Sequence, residues 1–119
     1  MNENEKISYI ELPTVDVELT KEFFSKVFGW VFEDYGPEYT VVTNAGVNAG
    51  FYKSEQRSLV ASGSVLMVIY CSELKQTQDK IKQAGGAIVK PTFSFPGGCR
   101  FHFIDLNGNE YGVWSETDA

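Results

Sequence analysis

One arrangement of elements is written twice in this chain, and that repetition limits its fold more than any other feature. "ISYIEL", residues 7–12, is rich in β-branched and aromatic residues and reads as a strand that Pro13 stops. Asp16 follows as a helix N-cap. Leu19, Phe23 and Val27 mark one face of a helix through Phe28, with Phe24 and Phe28 beside them. Gly29 stands where a left-handed cap favours glycine. Three short strands are expected next, at 30–34, 39–43 and 48–52, with turns at Gly36-Pro37 and Asn44-Ala45-Gly46 between them. The polar stretch 53–63 reads as a connector, and then the pattern returns. A strand at 64–70 leads to a helix from Ser72, as its cap, to Ala84, with Leu74 and Ile81 inward and Gly85-Gly86 at its end. A strand at 87–90, a loop at 91–99 and a hairpin built from "RFHFID" and "EYGVW" complete it.

The spacing agrees with duplication. Asp16 and Gly29 are 13 positions apart, and so are Glu73 and Gly86. Thr43 and Gly46 are 3 apart, as are Asp105 and Gly108. The expected fold is therefore α+β, two βαβββ modules at about 7–52 and 64–115, within one domain of 119 residues. Two such modules would join as a curved eight-stranded cup with helices outside, and its hollow would be the natural ligand site.

Composition narrows the function. The net charge is −6 and the ten basic residues are scattered, which leaves no basic stripe for nucleic acid. The acidic balance mildly favours cationic ligands, and solubility accounts for it equally well. Apolar runs are short, so no membrane span is expected. The polar, acidic start lacks the features of a secretory signal, and the cytoplasm is the expected compartment. Cys71 and Cys99 lie far apart, fit no metal motif and are expected as free thiols.

"YIELPTVDVELTKEFFSKVFGW", residues 9–30, resembles the first strand and helix of the vicinal-oxygen-chelate superfamily, the group of glyoxalase I, bleomycin-resistance proteins, fosfomycin-resistance enzymes and extradiol dioxygenases. "FIDLNGNEYGVW" resembles that group's last hairpin, with Leu106 in place of the usual proline. The resemblance spans about residues 7–115. It implies a homodimer, and it implies a divalent metal held by His, Gln or Glu from the first and last strands of each module. Carried over one position at a time, those ligands fall on Tyr9 and Gly50 in the first half and on Leu66 and Gly112 in the second. None is a usual ligand for such ions. The expectation is no cofactor at the family's usual metal site, and none of the glyoxalase I chemistry that depends on one.

Residues two apart on a strand share a face. The register that puts Tyr9, Gly50, Leu66 and Gly112 in the cup brings Glu11, Tyr52, Val68, Tyr70 and Trp114 with them, and by the family's register also Arg100 and His102. Phe101 and Phe103 then face the helices as core. The glycines would leave room for a flat ligand, and Gly97-Gly98 with Phe93 and Phe95 could make 91–99 a lid or only a surface loop. His102, the single histidine, reads either as a pocket residue or as a half-buried hydrogen-bonding residue of the strand. Two functions follow. The first is a binder of a small, partly aromatic molecule, in the manner of the bleomycin-resistance proteins. The second is a lyase or isomerase with Glu11 or His102 as general base.

Overall fold

The computed structural model describes residues 3–117, which form two compact units, one through Arg57 and the other from Ser58. In the first unit β1 (Ile10–Thr14) leads into α1 (Val17–Phe28), β2 (Phe32–Asp34), β3 (Tyr39–Val42) and β4 (Ala49–Lys53). Its sheet has the order β1-β4-β3-β2, with β1 parallel to β4 and the other pairs antiparallel. The second unit repeats this after a short 3₁₀ turn at Val60–Ser62: β5 (Met67–Tyr70), α2 (Leu74–Gln83), β6 (Ala87–Phe95), β7 (Gly98–Ile104) and β8 (Glu110–Ser115). Its sheet has the order β5-β8-β7-β6, again with the first and last strands parallel. The fold is α+β, with one βαβββ module in each unit, as the repeat implies.

The caps of α1 form where the sequence puts them. The Asp16 carboxylate accepts from the amides of Glu18 at 2.9 Å and Leu19 at 3.2 Å, which supplies partners for two otherwise orphaned donors. Gly29 ends the helix at φ 71°, and its amide donates to the Ser25 carbonyl. The buried stripe is Val17, Thr20, Phe23, Phe24 and Val27, while Leu19 stays at its margin. Phe24 is completely buried, stacks on Trp30 at 4.7 Å between centroids, and lies 6.2 Å from Phe51 of β4. Leu12, Val42, Ala49 and Phe51 form the buried face of this sheet. In the second unit Leu74, Ile81, Phe101, Phe103, Tyr111 and Val113 form the core.

Three expectations need correction, and the connector carries contacts that its sequence did not show. Pro13 does not stop β1 but lies inside it, paired in register with Tyr52. β1 is an edge strand, where a missing amide leaves no ladder bond unmade. Residues 91–99 are no loop: β6 continues through Pro91 to Phe95 and pairs with β7 from Gly98. β6 is also an edge, and register shifts on either side of Lys90 absorb the proline. The lid reading of that segment falls with the loop. Ser72 does not cap α2; Glu73 holds that position, with no side-chain cap bond. The connector is not merely a tether. The Ser58 amide donates to Asn109 Oδ1 and the Glu110 amide donates to the Ser58 carbonyl, both at 2.8 Å, so the segment is pinned to the start of β8.

No helix among the described residues is long and apolar enough to cross a membrane.

Candidate functional site

In each sheet one face is packed as core, and the chemistry-bearing residues stand on the other. In the first unit that second face carries Glu11 of β1, Tyr39 of β3, and Gly50 and Tyr52 of β4, because the register pairs Glu11 with Gly50 and Tyr39 with Tyr52. Tyr9, just before β1, joins them. Tyr39 donates to a Glu11 carboxylate oxygen at 2.8 Å. With its one proton committed there, the Tyr39 oxygen accepts from Tyr9, so the three side chains form a phenol–phenol–carboxylate relay. Burial holds the Tyr39 phenol above its ordinary pKa, and the bonds to Tyr9 and Glu11 add to that shift. Tyr9 and Tyr52 each remain 40% exposed, which leaves both open to a ligand.

This relay corrects the expectation that both glycines leave space. A Cβ on Gly50 would overlap the phenol oxygens of Tyr39 and Tyr9. The room at Gly50 is already filled by the relay. At Gly112 a Cβ would meet Leu66, Val68 and His102 at 3.5–3.6 Å, ordinary contact distances.

The second unit's corresponding face is organised about β7 and β8. Arg100 pairs with Trp114, His102 with Gly112, and Val68 and Tyr70 of β5 with Gly112 and Trp114. Phe101 and Phe103 are fully buried on the opposite face. Tyr70 meets Trp114 edge-on at 5.0 Å and donates to Glu116 at 2.7 Å. That bond to Glu116 raises the Tyr70 phenol's pKa. Leu66 lies just before β5.

His102 is 4% exposed, and its Nδ1 is 2.9 Å from Glu110 Oε2. A carboxylate only accepts, so Nδ1 carries the hydrogen, and in the neutral ring Nε2 keeps the lone pair. The other Glu110 oxygen accepts from the Val60 amide at 3.1 Å, which fixes the carboxylate on both sides. His102 Nε2 and Arg100 Nε are buried and have no hydrogen-bond partner among the described residues. The Arg100 guanidinium lies 5.2 Å from the centroid of Phe93 and 5.8 Å from that of Phe95, and Lys90 Nζ is 4.6 Å from Phe93.

Glu11, Tyr52, Val68, Tyr70, Arg100, His102 and Trp114 lie on the faces that alternation assigns within their own sheets, while Tyr9 and Leu66 stand just before the strands. Sequence reading missed Tyr39, Glu110, Lys90 and Phe93 as neighbours of those residues. Glu110 is the one with a legible signal: on β8 it shares the parity of Gly112 and Trp114.

The positions that the resemblance assigns to metal ligands carry no usual donor in this chain. Gly50 and Gly112 have no donor, Leu66 is apolar, and the Tyr9 phenol is bonded to Tyr39. Among the described residues no three His, Cys, Asp or Glu side chains form a group suited to a metal ion.

Solved structures share this fold. A glyoxalase/bleomycin resistance protein/dioxygenase family enzyme from Burkholderia phytofirmans superposes with a TM-score of 0.76 at 15% identity, covering 91% of this chain and 96% of its own. A glyoxalase-related enzyme from Fulvimarina pelagi gives 0.75 at 17%, covering 93% and 88%. The E126Q mutant of the fosfomycin resistance protein FosX from Listeria monocytogenes, complexed with Mn(II) and 1S,2S-dihydroxypropylphosphonic acid, gives 0.75 at 18%, covering 93% and 90%. No curated protein sequence matches the chain. The repeated module, the strand order in each sheet and a family model that matches residues 6–113 agree, and the chain belongs to the Glyoxalase/Bleomycin resistance protein/Dioxygenase superfamily.

Proposed function

We propose that this chain binds a small, partly aromatic molecule on the face of its second sheet that carries Arg100 and His102, without a metal at the positions that the resemblance assigns to ligands. The observation that carries this reading is the pair of buried, unpartnered nitrogens, Nε2 of His102 and Nε of Arg100. An unmade bond at a buried polar atom costs about 1–3 kcal/mol, so such atoms call for a partner from outside the chain. Phe93, Phe95, Tyr70 and Trp114 border them with flat apolar surface. Tyr9, Glu11 and Tyr52 of the first unit remain ligand candidates by resemblance.

The pairing of His102 with Glu110 favours a second reading, a lyase or isomerase with His102 as general base. Glu110 fixes the ring so that Nε2 is the atom left to take a proton. Glu11, the other candidate base, already accepts from Tyr39.

Three measurements test these readings. Calorimetric titration of chelator-stripped protein with zinc, nickel and manganese should show no stoichiometric binding, and a tight one-to-one isotherm would refute the metal-free reading. A thermal-shift screen of aromatic small molecules should find compounds whose stabilisation saturates and disappears in His102→Ala; no such compound means the binding reading is wrong. In the second reading His102→Ala also loses turnover by about 100-fold or more, whereas a pure binder has none to lose. The superfamily also leads us to propose a homodimer, so sedimentation equilibrium should return twice the 13.3 kDa chain mass.

A further inference from the structure

We infer that the ligand group recognised beside His102 is an oxyanion, a carboxylate or a phosphoryl group, although the chain as a whole is acidic. The inference rests on the binding reading above and assigns the chemistry of its ligand. Three basic side chains converge on one stretch of the second sheet. Arg100 and His102 are two apart on β7, and Lys90 of β6 pairs directly with His102. Among the described residues Arg100 and Lys90 have no carboxylate within ion-pairing distance; both approach the ring of Phe93 instead.

The acidic groups on that side are already engaged. Glu110 gives one oxygen to His102 and the other to the Val60 amide, and Glu116 accepts from Tyr70. Both carboxylates keep their charges, so the sign of the ligand is set not by a net local charge but by Arg100 and Lys90, which have no carboxylate partner of their own among the described residues. The orphaned atoms point to the same sign. Arg100 Nε has a hydrogen to donate and no lone pair to accept with, and a guanidinium stays charged at any working pH. His102 Nε2 becomes a second donor when an anion draws a proton onto the ring, and Glu110 then balances the charge at Nδ1. A ligand cation would meet the Arg100 and Lys90 charges here, and a neutral carbonyl could accept from Arg100 Nε but would leave those two charges without a counter-charge. An oxyanion fits both nitrogens, and Phe93 and Phe95 offer apolar surface for whatever carries it.

The single histidine makes the test direct, because its ring resonances belong to one residue. Long-range proton–nitrogen NMR spectra of the full chain are recorded while benzoate, phenyl phosphate, benzamide or benzyltrimethylammonium is added. Benzoate or phenyl phosphate should shift His102 Nε2 saturably toward its protonated position, and the stronger of the two says whether a carboxylate or a phosphoryl group is preferred. Arg100→Gln should weaken that binding by about tenfold or more, and Arg100→Lys, which keeps the charge but loses Nε, by less. Saturable binding of benzamide or the cation, with no response to either anion, would overturn the oxyanion inference and leave the binding reading standing. No saturable shift from any of the four would overturn both, and unchanged anion affinity in Arg100→Gln would remove Arg100 from the site.

Discussion

Gly50 and Gly112 occupy the same place in the two modules and face different surroundings. Gly50→Ala drives a methyl group into the Tyr9 and Tyr39 oxygens, so urea unfolding should find it destabilised by about 1–3 kcal/mol. Gly112→Ala meets only ordinary contacts and should stay within about 1 kcal/mol of the parent. Asp105, at the turn into β8, is buried and accepts from the amides of Asn107 at 2.9 Å and Asn109 at 3.0 Å. Burial outweighs those bonds and pushes its carboxyl up to about 6 from 3.8. Between those values the folded chain holds a proton that the unfolded chain has lost. The associated stability is fully present below pH 3.8 and is lost as pH rises through about 6. On going from pH 7 to pH 4 the parent should gain about 2 kcal/mol relative to Asp105→Asn in urea titrations, and a constant difference would contradict the shift. Alternation along single strands made the faces of Glu11, Arg100, His102 and Trp114 legible. It was silent on Tyr39 and on the Glu110–His102 bond, because both depend on which residue of another strand lies alongside, and that register is set only by folding.

At the level of elements, the sequence named two helix caps with equal weight, and the structure separates them. Asp16→Ala should cost about 1 kcal/mol because it strips two amide partners from α1. Ser72→Ala should change stability by less than about 0.5 kcal/mol, since Glu73 takes the cap position without a side-chain bond. Chemical denaturation of the two variants side by side checks both. The helices were readable because their periodic faces and caps lie in one continuous stretch. The strand ends misled at Pro13 and Pro91 for one shared reason. Proline interrupts a strand only where its amide would be needed, and whether it is needed depends on edge or centre, a property of sheet order that a linear sequence does not display.

Taken as a whole, the molecule keeps phenols neutral in both units. Burial raises Tyr111 well above its ordinary pKa and does the same for Tyr39. Each contributes stability that is present below the unfolded value of 10.0 and is lost as pH climbs toward the folded one. The protein should therefore lose stability steeply above pH 10, with these two tyrosines ionising only as the chain unfolds, an order that ultraviolet difference spectroscopy followed alongside circular dichroism would reveal. The duplicated halves also differ in what a single codon change can do to them. A methyl group added at position 112 meets only ordinary contacts, so a first substitution there is absorbed without a clash. The same change at position 50 lands on two phenols, and both Tyr9 and Tyr39 must give way before it is tolerated. The two modules share an architecture yet stand at different mutational distances from new chemistry, and any evolution experiment started from this sequence should first find its gains in the second half.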